Sequence, residues 1–234
     1  GNFLIDYDEF EDQWQSRMDN VLSASVYYRF LPKTSAVAEY RYTNRYFYEQ
    51  QDLDDNNRGA DDDTAQDSQV HEVLAGLSFD PSAKINGEVK AGIAFIDYDT
   101  DENWDGDDYD DITTWSMEGN LIWQAREKTT VRATLLRAVR PSAEDYATHY
   151  EDTQVLLGLS QELVKDFALL NAEIGLGYAD YEVDTGVESR TDKELQAGLG
   201  MEWLLKRWLN MGLDYRIIRR DSSFDNESYT NNRV

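Results

Sequence analysis

The chain has no cysteine, three prolines and two histidines, and its 22 basic residues face 47 acidic ones. Each shortage removes a class of protein. Without cysteine there is neither a disulfide framework nor a thiolate metal site, which suits an oxidising compartment without requiring one. A formal net charge of −25 leaves no clustered Lys and Arg for a phosphate backbone, so nucleic acid is excluded as a partner. No apolar run approaches the roughly 18–20 residues of a membrane helix. That removes helical spans only, because the strands of a membrane barrel alternate and pass the same test. The opening "GNFLIDYDEF" has no signal-peptide pattern, as a mature or cropped chain would lack one. The sequence also has no Gly-rich phosphate loop and no G-x-S-x-G. Its two candidate general bases, His71 and His149, stand in no catalytic motif, although His149 has Glu144, Asp145, Glu151 and Asp152 near it in an expected outer loop. No enzyme is expected.

What the chain does have is alternation. Residues 194–203 read Leu195, Ala197, Leu199, Met201 and Trp203 on one parity, and Glu194, Gln196, Gly198, Gly200 and Glu202 on the other. Residues two apart share a face of a strand, so such a segment has one apolar and one polar side. The pattern recurs at about 21–31, 35–48, 69–79, 84–98, 112–125, 129–140, 153–163, 168–182, 193–204 and 208–220. These segments are much longer than the usual soluble strand of about 5–6 residues. They exceed the roughly 9–11 residues that a tilted strand needs to cross a bilayer. The chain is therefore read as a single all-β domain, 1–234: an antiparallel up-and-down transmembrane β-barrel of about ten full strands. A partial strand and loop are expected over 1–20, and a further strand starts at 228–234. An aromatic share of 12% argues against disorder.

Connections alternate in length. Short ones fall at "LPKT", "DPSAK", "REKT", "VKDF" and "LKRW", and long ones at about 49–68, 99–111, 141–152, 183–192 and 221–228. Tight turns on one side and long loops on the other mark an outer-membrane barrel. Each short turn carries a lysine, namely Lys33, Lys84, Lys128, Lys165 and Lys206. Such a lysine suits either lipid phosphates or plain solvation. Phe30, Phe79, Trp123 and Trp203 precede short turns on the apolar parity, while Tyr40, Tyr42, Phe95, Trp115, Tyr178 and Tyr215 lie near the long loops. Two aromatic bands match the girdles at membrane interfaces. Arg137 breaks the pattern, since it falls on the apolar parity of 129–140. Either a bulge shifts the register there, or Arg137 faces outward at the headgroup level.

Four stretches, "SASVYYRFLPKTSAVAEYRYTNRYF" (23–47), "LSFDPSAKINGEVKAGIAFIDYD" (77–99), "LIWQAREKTTVRATLLRAVRPS" (121–142) and "RWLNMGLDYRIIRRDSS" (207–223), resemble the β-barrel porin type 2 family. The resemblance covers about residues 21–234. It implies an outer-membrane barrel of Gram-negative bacteria linked to exopolysaccharide export, with polysaccharide and periplasmic export components as partners.

Candidate functional residues follow from parity. The polar side would line the lumen with Arg29, Glu39, Arg41, Arg45, Glu88, Lys90, Glu118, Arg132, Glu173, Glu202, Asp214 and Arg216, joined by Glu72, Arg140 and Glu194. Buried charges have to be paired or solvated, so these residues mark a lumen whether it is an open path or is bridged by ion pairs. In "DENWDGDDYDD" (101–111), Asp101, Asn103, Asp105 and Asp107 match the opening of a Ca²⁺ loop. Position twelve is Ile112 rather than Glu, and the flanks are strands, so it is not an EF-hand. The loop either binds Ca²⁺ loosely or is simply solvated; no other cofactor is expected. With "QDLDDNNRGADDDTAQD" (51–67), the stretch 97–111 holds sixteen acids against one arginine, or fifteen of the twenty-five net negative charges. Those charges gather on one rim, where they would attract cations or meet divalent-bridged lipopolysaccharide. Two functions stay open. One is a passive channel or secretion conduit; the other is a structural or adhesive surface barrel whose acidic loops dock a partner.

Overall fold

The computed structural model describes residues 2–5, 17–47, 67–98, 111–142, 147–183, 189–224 and 227–233. They form one antiparallel sheet of twelve strands in chain order: β1 (Asn2–Ile5), β2 (Arg17–Leu31), β3 (Thr34–Phe47), β4 (Ser68–Phe79), β5 (Ile85–Tyr98), β6 (Ile112–Arg126), β7 (Thr129–Pro141), β8 (Ala147–Val164), β9 (Ala168–Val183), β10 (Arg190–Lys206), β11 (Leu209–Ser222) and β12 (Tyr229–Arg233). Ten strands are long and the two at the edges are short. Among the described residues there is no α-helix, and β1 and β12 are not paired with each other.

Four strands begin or end beyond their expected limits, and all overrun at the long-loop end. β8 starts at Ala147, where a loop to 152 was expected, and β10 starts at Arg190. β2 starts at Arg17 inside the expected loop, and β11 runs on to Ser222. The added residues, such as Asp152, Arg190 and Asp192, are polar. Apolar–polar alternation reports only the part of a strand with lipid on one side. Where the ladder rises past that zone, both parities turn polar and the pattern fades.

At the opposite end the short turns are tied into a continuous border. The Lys33 carbonyl accepts from Asp80 N at 3.1 Å, Lys84 from Gln124 N at 2.7 Å, Lys128 from Glu162 N at 2.8 Å and Phe167 from Leu204 N at 2.8 Å. Each turn is thus hydrogen-bonded to the next hairpin. The Lys33 ammonium also donates to the Ser82 carbonyl at 2.9 Å. Beside it the Asp80 carboxylate accepts from Ser82 N at 2.8 Å and faces Arg29 at 3.6 Å. Ser82, chiefly through its backbone N–H, holds the Asp80 carboxyl below the ordinary carboxylate range.

The sheet curls, and long-range contacts show it. Arg41 on β3 reaches Glu118 on β6 at 2.9 Å, with β4 and β5 between them. Three strand spacings of about 4.8 Å would hold the bases of these side chains roughly 14 Å apart on a flat sheet. The face that carries them is therefore concave. Arg17 on β2 and Arg220 on β11 both lie within electrostatic reach of Tyr150 on β8, so the outer strands bend back toward the middle of the sheet.

Candidate functional site: the concave face

Register decides which residues share this face. Ser25, Glu39, Leu74, Gly92 and Ser116 are successive cross-strand partners from β2 to β6. Arg132, Gly158, Glu173, Gly198 and Arg216 are partners from β7 to β11. Counting in twos along each strand from these rows places all twelve expected lumen residues on the concave side, together with Glu72, Arg140 and Glu194. The convex side is the apolar one. Leu22, Val26, Val73, Ile93, Leu176, Leu199, Met211 and Leu213 are all exposed there, whereas the buried apolar set among the described residues is only Val37, Leu74, Ala94, Ile96 and Ala168. A soluble protein buries its large apolar side chains; this wall is inverted.

The charged residues gather in two different ways. Between β3 and β6 they knot together. The Lys90 ammonium has three N–H donors, and each meets a different carboxylate: Glu39 at 2.7 Å, Glu88 at 3.1 Å and Glu118 at 2.5 Å. Arg41 takes Glu39 at 2.6 Å, Glu72 at 3.2 Å and Glu118 at 2.9 Å. Ser25 Oγ donates to Glu39 at 3.1 Å. The side chains of Lys90 and Glu39 are 8% and 7% exposed, so the centre of the knot is buried, while Arg41, Glu88 and Glu118 at its edge stay partly exposed. Glycine makes room for it. A Cβ on Gly76 would lie 1.9 Å from the Val89 carbonyl oxygen, and one on Gly92 1.8 Å from that of Val73, so β4 and β5 meet there backbone to backbone.

Between β7 and β11 the charges line space instead. A cavity of about 560 Å³ is bounded by Arg132, Glu173, Glu202, Asp214 and Arg216, with Gly158, Gly198, Gly200 and Gly212 in its wall. A Cβ on Gly158 would find its nearest neighbour 3.8 Å away, and one on Gly212 at 4.0 Å. Gly158 and Gly212 therefore leave volume, whereas a Cβ on Gly198 would come within 2.7 Å of the Glu173 side chain. Arg216 pairs with Glu173 at 2.7 Å while staying 43% exposed, and Asn210 donates to Glu202 at 3.1 Å. Arg29 and Arg45 stand apart from both groups, beside Asp80 at 3.6 Å and Asp19 at 3.4 Å respectively.

Parity reading stopped short of a third group at the long-loop end. Arg140, Tyr150, Tyr181 and Arg190 are successive partners across β7 to β10. The two tyrosine rings stack at 4.9 Å and Arg190 lies 4.6 Å over Tyr181. Asp152 and Asp192, one row below, pair with Arg140 and Arg190, each at 2.7 Å. Continuing the parity of Glu194 and Gln154 upward would have found them.

His149 lies within β8, buried, rather than in a loop. His71 is on the convex side, with Nδ1 2.8 Å from the Tyr40 hydroxyl and the Tyr42 ring 5.0 Å away. Arg137 needs no bulge, since the β7–β8 ladder runs through it unbroken; it faces outward over the Trp115 ring at 4.4 Å. The proposed Ca²⁺ ligands Asp101, Asn103, Asp105 and Asp107 lie outside the described residues. Among the described residues no group of three or more acids or histidines is arranged to hold a metal.

An antiparallel up-and-down sheet, apolar outside and ionised inside, with tight turns at one end, is the wall of a transmembrane β-barrel. Residues 9–234 match the family model described as putative β-barrel porin 2, and the chain belongs to that family. No curated protein matches it.

Proposed function

We propose that the protein is a passive conduit in the outer membrane of a Gram-negative cell, with the β7–β11 side of the concave face as the path and the β3–β6 knot as its rigid flank. The inversion of the wall carries this reading: an ionised face turned from lipid needs water or a polar solute against it. The cavity presents guanidinium and carboxylate groups together with glycine-lined space. That suits a polyhydroxylated solute better than an ion of one sign, and it agrees with the exopolysaccharide that the family resemblance implies. Conduction needs no catalytic residue and no resident cofactor. Lipopolysaccharide would surround the convex face, and loop Ca²⁺ would act on the rim alone.

Single-channel conductance of the inserted protein in a planar bilayer tests the proposal. Stable steps that a soluble polysaccharide partly blocks are expected. Absence of steps from correctly inserted protein would leave the surface-scaffold function in its place.

A further inference from the structure

One seam of the wall lacks backbone pairing at its upper end. β5 and β6 stay paired up to Ile96 and Ile112, and β7 and β8 up to Pro141 and His149. Between β6 and β7, however, pairing ends at Met117 and Arg137. Residues 112–116 and 138–141 face each other without a ladder, although both segments are strand. Elsewhere among the described residues, adjacent long strands stay paired to within two residues of their upper limits. Pro141, which has no N–H to give, stands at the top of this seam.

The seam is held by side chains instead. Glu151 on β8 reaches past β7 and accepts from Thr114 Oγ1 on β6 at 2.6 Å. The same carboxylate pairs with Arg137, whose guanidinium also donates to Thr153 Oγ1 at 3.0 Å. Ser116 Oγ and Arg137 Nε, both buried at the seam, have no hydrogen-bond partner. The seam is thus closed by side chains: Trp115 and Val139 stand on its convex side, the Glu151–Arg137 pair bridges it and the buried Ser116 hydroxyl lies on its concave side, so it is amphipathic across the thickness of the wall.

We infer that the upper β6–β7 seam is a lateral port, latched by Glu151, that admits a single-chain amphiphile from the surrounding lipid, with its polar head toward the concave face. Unpaired strand edges facing lipid are otherwise costly, and a polar head in the seam would satisfy the buried donors. The inference rests on the wall lying in a membrane. It does not depend on axial conduction, so a failed conductance test would leave it standing.

The cysteine-free chain allows a direct test. Ser116→Cys with Ala138→Cys spans the unpaired seam, and Asn120→Cys with Thr134→Cys spans registered partners four residues lower. In the bilayer-inserted full chain, the lower pair should oxidise readily and the seam pair should not. A diazirine-bearing lysophosphatidylcholine should label β6 and β7 peptides at the seam. A bismaleimide bridging the seam pair should abolish that labelling, and Glu151→Gln should increase it. Disulfide formation at the seam as fast as in the lower pair, or labelling that survives the bridge, would overturn the port.

Discussion

Between β3 and β6, Lys90 directs all its donors to three carboxylates and stays 8% exposed; between β7 and β11, Arg216 has one carboxylate and stays 43% exposed. The two regions draw on the same residue types and the same parity rule. They differ in what glycine does. Gly76 and Gly92 bring two backbones together under the knot, while Gly158 and Gly212 stand before open volume. Charges on the first side are structural elements. On the second they line open volume.

The same substitution made in both regions should give opposite results. Gly92→Ala drives a Cβ into the Val73 carbonyl oxygen at 1.8 Å, so it should cost more than the about 1–3 kcal/mol typical of overpacking and leave little folded barrel. Gly158→Ala should be tolerated. Heat-modifiable migration on gels separates the two, and equal behaviour would dissolve the comparison.

Lys90→Met leaves Glu88 without a cation and Glu39 and Glu118 with Arg41 alone, and breaking a buried pair costs about 3–5 kcal/mol. Urea unfolding from detergent should show that loss, and Glu39→Leu added to Lys90→Met should recover part of it. On the open side, Arg216→Ala removes a half-exposed pair and should cost only about 0–1 kcal/mol. Its effect should appear in the reversal potential under a salt gradient, displaced toward cations because Glu173, Asp214 and Glu202 then lack that counter-charge.

The smallest effect belongs to the short-turn border. Asp80 has a depressed carboxyl pKa in the folded state, so its contribution is present above the unfolded value and is lost as pH falls through the folded one. Asp80→Asn should flatten the acid limb of a stability–pH curve and leave the neutral region nearly unchanged. An unaltered acid limb would show that the turn does not sense pH.

Most of the wall was legible because lipid enforces a period of two. Leu195 and Leu199 have to face outward, so Glu194 and Glu202 face in, and one strand fixes its neighbours through register. Legibility ended where lipid ends. Tyr150, Asp152, Arg190 and Asp192 sit in sequence too polar to alternate, and only the ladder shows that they continue the strands. Arg137 was ambiguous for a related reason: parity alone cannot separate a bulge from an outward cation, whereas the unbroken β7–β8 pairing can.

The sequence by itself determined the class of fold, the strand ends at the tight turns, the sidedness of the charged residues in the alternating zone other than Arg137 and the concentration of acids in two stretches. These are local consequences of side-chain period and turn chemistry. Only the tertiary structure decided which of those charges meet. Glu118 lies 77 residues from Arg41 and touches it because the sheet curls; the ladder stops above Met117 and Arg137 although both strands continue. Curvature and strand pairing are properties of the assembled sheet, and no single strand encodes them.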